Sequence, residues 1–379
     1  MNIVHVIVGL NVGGAEFMLK RLIESHQGDT AYRHTVISLT DIGKVGQQLQ
    51  SLGVEVQALY MHSVLDIPRV LWQLVRLIRG SDPVLVQTWM YHADLLGGLA
   101  ARIAGNRNVI WGIRTTDVQA AGTRATTMVR LACACLSRWV PHTIVCAADA
   151  SRRAHVAVGY DATRMVIVPN GFDLSRLVAT AGQSAMLRAR YRIAATEIVI
   201  GVIGWFNPAK DHKNFVRAAG LVAQQYPHAR FLMVGRGLDA SNAELACEIA
   251  QTGHADRFVL LAERADVPVC LAAMDIFCLS SRTEGFPNVV GEAMAMGVPC
   301  VVTDVGDSAM LIADTGIVVP KEDPIRLARG LGRLLAMGPD SRRRLGQEAR
   351  ERIHAKFTIE LARTRFEDIY QRVAGKGER

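Results

Sequence analysis

The chain is 379 residues long, 50% apolar and 21% charged, with 43 Lys+Arg against 35 Asp+Glu and a formal net charge of +8. That length suits two domains of ordinary size, and the apolar share is enough to offset the entropy of ordering, which excludes disorder as the main state. No run of about 18 apolar residues passes without a charge, which excludes a membrane-spanning helix; the best stretch, 131–148, is cut by Arg138 and Pro141.

Residues 2–9 (NIVHVIVG) form a short β-branched run ending in glycine. No basic leader precedes it, so it reads as a first strand and not as a signal peptide. The loop LNVGGAE and a helix over about 15–24 follow. Further apolar runs come at α/β spacing: HTVISL, VEVQAL, VLVQTW, NVIWGI, TIVCAA and MVIVPN, with helices between most of them, for example over 68–79 and 95–103. The second half opens in the same way, with IVIGVIG, the polar loop WFNPAKDHK and the amphipathic FVRAAGLVAQQ. RFLMVG, RFVLLA, DIFCLSS, VPCVVT and TGIVVP follow, and a last helix covers 358–373.

Near-continuous apolar strands alternating with amphipathic helices imply parallel sheets buried on both faces. The doubled opening implies two separately wound α/β domains. The boundary falls near PNGFD (169–173), with a linker to about residue 187, giving a first domain over 1–180 and a second over 181–357. Seven cysteines form no C-x-x-C pair. They read as reduced, buried thiols of a cytosolic protein, not as a disulfide or zinc framework.

The positive excess is densest toward the C-terminus, where residues 342–379 hold 11 Lys/Arg against 6 Asp/Glu. That stretch reads either as a solvated helix face or as attraction to an anionic membrane surface. Nucleic acid is disfavoured, because no aromatic-interleaved basic stripe appears.

The chemistry concentrates in 280–304, SSRTEGFPNVVGEAMAMGVPCVVTD. An apolar strand precedes it; Pro287 sits where a first helical turn begins, good helix formers fill 289–296, and Gly297 ends the helix. The unpaired N–H groups of that helix start suit a phosphate. Glu284 lies just before the helix and Glu292 about one turn inside it. Either glutamate alone reads equally well as a charge complementing the helix dipole. Together, flanking Gly285, Phe286, Pro287, Asn288 and Val289, they suit a ligand that carries hydroxyls as well as phosphate, since a carboxylate accepts paired bonds from a diol. A sugar nucleotide has both parts.

The segment E-G-F-P-N-V-V-G-E resembles the signature of glycosyltransferase family 4, whose members have the GT-B fold. Gly13, Gly14 and Glu16, the PNGFD turn, PAKDHKNF at 208–215, VGRG at 234–237, ERADVP at 263–268 and 305–320 fall where that family places them. The resemblance implies two Rossmann-like doubly wound domains facing each other across a cleft, with the acceptor on the first domain, the nucleotide-sugar on the second, and the C-terminal helix over about 358–379 packing back on the first.

The resemblance also implies roles. Glu284 would bind donor-sugar hydroxyls and Glu292 the ribose. Lys210 and the N–H groups of 286–289 would hold the diphosphate, and Arg264 lies near the base. Gly13 and Gly14 would let the first domain approach the phosphates. Similar enzymes are retaining and metal-independent, with no cofactor, and the leaving phosphate takes the acceptor's proton. No D-x-D element or His/Cys cluster suited to a metal is visible. The implied activity is transfer of a hexose or N-acetylhexosamine from a UDP-sugar to a lipid-linked or polysaccharide acceptor, peripherally on the cytoplasmic face of the inner membrane.

Two positions depart from the family pattern. Trp205 stands where many relatives carry an arginine; Arg236, Arg264 or Arg282 could take over its cation, and Trp205 itself could stack on the ligand or pack in the cleft. Arg114 stands where many relatives carry a histidine near the reacting carbon, and is the third catalytic candidate beside Glu284 and Lys210; its alternative is a structural ion pair with Asp117 or another carboxylate. His92 is a candidate on the acceptor side, or a packed histidine. VGRG and LNVGG both lack the full G-x-G-x-x-G order, so a dehydrogenase reading is poor. A UDP-N-acetylglucosamine 2-epimerase on the same fold and a catalytically weak nucleotide-sugar-binding protein remain as alternatives.

Overall fold

The computed structural model describes residues 1–116 and 124–375. It divides into two compact units, Met1–Gly171 with the chain from Ile359 onward, and Phe172–Thr358.

The first unit runs β1 (Asn2–Ile7), α1 (Gly14–Ser25), β2 (Arg33–Ser38), α2 (Gly43–Ser51), β3 (Glu55–Ala58), α3 (Ile67–Ser81), β4 (Leu85–Trp89), α4 (Tyr91–Ile103), β5 (Val109–Ile113), α5 (Arg124–Leu136), β6 (Thr143–Cys146), α6 (Asp149–Ala157) and β7 (Met165–Ile167). Its seven strands are parallel, in the order β3-β2-β1-β4-β5-β6-β7. Alternation along each strand feeds two cores. Val4, Val6, Val86, Trp111 and Ile113 pack with α3 and α4 on one face; Ile3, Ile7, Leu85, Trp89 and Ile110 pack with α1 on the other. The α3 helix shows why the sequence folds so locally: Pro68 sits in its first turn, Val70, Leu74 and Ile78 recur every four residues as its buried stripe, and Asp82 ends it in the left-handed region.

The second unit runs α7 (Ala181–Arg190), β8 (Ile198–Ile203), α8 (His212–Gln225), β9 (Ala229–Val234), α9 (Ala243–Gln251), β10 (Phe258–Leu260), α10 (Val267–Ala272), β11 (Ile276–Leu279), α11 (Asn288–Ala295), β12 (Cys300–Thr303), α12 (Ser308–Ile312), β13 (Gly316–Val319), α13 (Pro324–Ala336) and α14 (Pro339–Lys356). Its six parallel strands take the order β10-β9-β8-β11-β12-β13. Both sheets are doubly wound, as expected, and every apolar run singled out in the sequence is a strand. The order reverses beside β8, between it and β11. Ligands bind open α/β sheets in the crevice at such a switch point, beyond the strand ends.

The units divide at Gly171 and Phe172, inside PNGFD and ahead of the boundary placed at 180. The segment after the turn belongs to the second unit because α7 packs on α10, and Arg188 donates to Ala273 O (3.0 Å) and Asp275 Oδ2 (2.7 Å) there. The last helix, α15 (Ile359–Gly375), lies on the first unit. It buries Phe366, Ile369, Tyr370 and Val373 against the Ile3, Ile7 and Trp89 face. Tyr370 donates to Gln87 Oε1, and Arg363 ties Glu367 Oε1 (2.6 Å) to Asp29 Oδ2 (2.6 Å).

All seven cysteines are free thiols, but Cys135 and Cys247 are exposed, contrary to the expectation of buried sulfur, because they fall on outward faces of α5 and α9.

Candidate active site

Three loops at the carboxyl ends of β8, β9 and β11 build the candidate site of the second unit. The loop after β8 folds into a turn in which Asn207 Oδ1 accepts from the backbone of Ala209 (2.7 Å) and Lys210 (3.1 Å). This turn is joined to the loop after β11. Arg282 N donates to Ala209 O (2.8 Å), and Ser280 Oγ donates to Lys210 O (2.9 Å).

The result brings Lys210 Nζ to 2.6 Å from Glu284 Oε1, which also accepts from Ser281 Oγ at 2.6 Å. Glu284 is thus held from two sides. Beneath it, Gly306 has φ +57, and a Cβ there would lie 2.4 Å from both Glu284 O and Gly285 O. Asp307 N donates to Gly285 O (3.0 Å), so only glycine lets the two loops close up this far.

The α11 helix begins directly after this loop. Pro287 is its N-cap and provides no side-chain cap, while its carbonyl accepts from Val290 N (3.1 Å) and Gly291 N (3.4 Å) in the first turn. Glu292 lies in the second turn, half-buried, as do Asn288 and Val289 in the first. Phe286 turns inward: its ring, 6% exposed, packs 6.2 Å from Phe172 and 5.9 Å from Phe357. It anchors the loop, leaving its backbone for any ligand role.

The structure sorts the cations around this point. Arg264 forms a two-pronged pair with Asp266 (2.8 and 2.6 Å), which holds the Asp266 carboxyl below its usual range. Arg282 pairs with Asp211 (2.8 Å) and with Glu322 (3.4 Å). Asp211, buried at φ +48, also caps α8 by accepting from Asn214 N. Trp205 is 52% exposed, with the Arg236 guanidinium 5.1 Å from its ring centroid.

The first unit holds the remaining candidates. Gly13 caps α1 and Gly14 opens it; a Cβ at Gly13 would lie 2.3 Å from the carboxyl of Glu16, which folds back over it. Burial raises Glu16 above the usual carboxyl range. Arg114 Nη1 donates to Asn170 Oδ1 (2.9 Å), and the guanidinium lies 4.8 Å from the Trp89 ring and 5.6 Å from that of Phe366. Burial lowers it to about 10. Its expected alternative partner, Asp117, lies outside the described residues. His92, on α4, lines an apolar cavity of about 330 Å3 with Val8, Thr40, Met61 and Leu96.

Sequence reasoning missed Ser281, Asp211, Asn207 and Gly306. Only Ser281 carried a readable signal, an S-x-x-E spacing to Glu284; the others matter through partners distant in sequence. The basic C-terminal stretch is divided between the units and is partly consumed as caps. Arg342 donates to Leu334 O (3.2 Å) and Leu335 O (3.1 Å), and Arg352 to Leu311 O (2.8 Å) and Met310 O (2.6 Å). Among the described residues no helix is long and apolar enough to cross a membrane, and no three His, Cys, Asp or Glu side chains group as metal ligands.

Comparison with known proteins follows this division. Residues 12–176 match the family described as Glycosyltransferase Family 4, and residues 197–337 match Glycosyl transferases group 1. The chain is 30% identical to N-acetyl-alpha-D-glucosaminyl L-malate synthase of Bacillus anthracis, over 48% of each chain. It is 24% identical to the UDP-Gal:alpha-D-GlcNAc-diphosphoundecaprenol alpha-1,3-galactosyltransferase of Escherichia coli, over 66% of this chain and 65% of that one. The chain thus spans 48% and 65% of the length of these two relatives. Among solved structures, HepE of Anabaena in complex with UDP superposes with a TM-score of 0.84 at 20% identity, covering 97% of this chain and 99% of that one; the same protein has been solved with UDP-glucose. With one family matched on the first unit, the other on the second, and the GT-B fold in common with HepE, the chain belongs to the group 1 glycosyltransferases of family 4.

Proposed function

We propose that the protein is a retaining glycosyltransferase that moves a hexose or N-acetylhexosamine from a UDP-sugar to a lipid-linked or polysaccharide acceptor, in the assembly of a surface glycan such as lipopolysaccharide, O-antigen, capsule or exopolysaccharide. The observation that carries this reading is the Lys210–Glu284 pair at the start of α11. It sets a cation suited to phosphate beside a carboxylate suited to hydroxyls, at the switch point of the sheet. UDP and UDP-glucose in the HepE complexes, and UDP-galactose and a diphosphoundecaprenol acceptor in the name of the E. coli relative, support the choice of donor and acceptor class.

In this reading Glu284 accepts from donor-sugar hydroxyls, Glu292 from the ribose hydroxyls, and Arg264 lies beside the base. Lys210 and the N–H groups of 286–289 hold the diphosphate. The C1–O bond to the diphosphate breaks, the acceptor oxygen bonds C1 on the same face, and its proton passes to the leaving phosphate oxygen. Negative charge grows on that phosphate, so donors fixed in advance lower the barrier as an oxyanion hole does. With Lys210 and the helix start assigned to this charge, transfer is proposed to be metal-independent and to survive chelation by EDTA.

Apolar parts of the acceptor suit the cavity beside His92. Peripheral attachment to an anionic cytoplasmic leaflet is proposed through α3, where exposed Trp72 lies under Arg76 (5.7 Å) beside Arg69 and Arg79. Sedimentation with anionic vesicles should weaken as salt rises; salt-independent pelleting would argue against it.

The deciding experiment is a thermal-shift screen over UDP, GDP, ADP and their sugars with EDTA present, followed by a transfer assay. A ligand bound only by the folded state raises stability as RT ln(1 + [L]/Kd). Stabilisation by UDP with turnover of a UDP-sugar is expected. Trp205 in place of an arginine favours one second reading, a protein that binds nucleotide-sugar without turning it over; binding without transfer or hydrolysis would select it.

A further inference from the structure

We infer that Arg236, held over the ring of Trp205, supplies a second cation for the donor diphosphate. The inference rests on the donor-site reading above. A diphosphate carries at least two negative charges, while Lys210 is shared with Glu284 at 2.6 Å, so this one lysine does not match the diphosphate's charge by itself. Another guanidinium is needed, and its planar fork suits phosphate oxygens.

Three arginines lie on the loops at this end of the sheet, and their partners separate them. Arg264 is taken by Asp266 and Arg282 by Asp211 and Glu322. Arg236 forms no ion pair with any described residue and is exposed; its contact is the face of Trp205. Stacking on an aromatic ring fixes the guanidinium plane while leaving its N–H edges open.

The backbone brings Arg236 to the Lys210 side. Phe206 N donates to Arg236 O (2.8 Å), joining the loop after β9 to the loop after β8. Gly235, at φ +148, allows this approach: a Cβ there would lie 2.0 Å from Gly204 O and 3.2 Å from Trp205 N. On its other side Gly204 lies against the stem of Lys210, with 3.6 Å from an added Cβ to Lys210 Cδ. Gly235 of VGRG, a segment that makes no dinucleotide fingerprint, thus lets the loop of Arg236 close on the loop that carries Lys210. Trp205, at the place of the missing arginine, becomes the platform that positions its replacement.

The test compares binding of UDP and of uridine to wild type, Arg236→Ala, Arg236→Lys, Lys210→Ala and the double variant Arg236→Ala/Trp205→Arg, by calorimetry with EDTA present. Arg236→Ala should weaken UDP about 10- to 100-fold, the worth of a charge-assisted contact, and leave uridine unchanged. Arg236→Lys should recover part of the loss, and the double variant most of it, because it restores a cation at position 205. If Lys210→Ala weakens UDP and Arg236→Ala does not, Arg236 has no part in the site and the inference falls alone. If wild type binds UDP no better than uridine, the donor-site reading falls with it.

Discussion

Lys210 and Glu284 are 74 positions apart in sequence, yet their charged ends meet at 2.6 Å, joining the loop after β8 to the loop after β11. Because Ser281 Oγ also donates to Glu284 Oε1, the carboxylate is fixed before any ligand arrives. Glu284→Ala should lower transfer by about 100- to 1000-fold, the scale for losing one fixed group at a reacting centre, with the circular dichroism spectrum unchanged. Steady-state rates would decide it; a variant keeping most of its rate would remove Glu284 from the reaction.

Gly235→Ala should harm both stability and donor binding. The added methyl meets Gly204 O at 2.0 Å, in a backbone conformation that side chains rarely adopt. A cost of about 1–3 kcal/mol or more is expected, seen as a lower urea midpoint. Native midpoint and native UDP affinity together would show that the two loops are not locked as described.

Phe366 carries much of the docking of α15. It is fully buried, with rings of Trp89 and Tyr370 at 6.3 and 6.0 Å and the Arg114 guanidinium at 5.6 Å. Phe366→Ala should destabilise the first unit by about 3–5 kcal/mol and bring early protease cleavage in α15. Unaltered cleavage kinetics would mean the helix is held by other groups.

Three histidines share the face beneath α15. His5 Nε2 lies 2.9 Å from His34 Nδ1, and the His26 ring is 4.9 Å from that of His34. Burial, with mutual repulsion, holds His5 and His34 below the ordinary 6.5, His34 down to about 3; burial with Arg363 lowers His26. Tyr32, Asp29 and Glu367 also border the cluster. The unfolded chain therefore binds protons more readily, so stability should be full above pH 6.5 and fall as pH drops toward 3. Urea midpoints at pH 7 and 5 test this, and a flat profile that His34→Gln leaves unchanged would contradict it.

Asp94 acts in the opposite sense. It is fully buried, accepts from Thr88 Oγ1 (2.5 Å) and Gly112 N (3.2 Å), and is pushed up to about 8 by burial. Its neutral form contributes stability that is full below the ordinary 3.8 and is lost as pH rises to 8. Asp94→Asn should leave the protein less dependent on pH between 6 and 8.5 in urea melts; an unchanged slope would show that Asp94 is not the group responsible.

The sequence by itself determined the strands, the two separate windings and the segment from Glu284 to Glu292. Each depends on neighbours within one run: β-branched residues between turns, or a glycine and proline at fixed offsets from two glutamates. A buried parallel strand and a helix start leave that imprint because the residues that need each other are close in the chain. The division near PNGFD was also legible, but tertiary contacts settled which arginines are taken, to which unit the segment after that turn belongs, and what becomes of the basic C-terminus. Arg282 meets Asp211 across 71 residues and Arg363 meets Asp29 across 334, so no local pattern could show them spent. Gly306 and Gly235 needed the opposing loop in place before their missing side chains had a reason. Arg236 is set apart from Arg264 and Arg282 by partners, not by spacing, and partners are settled only when the strands lie side by side.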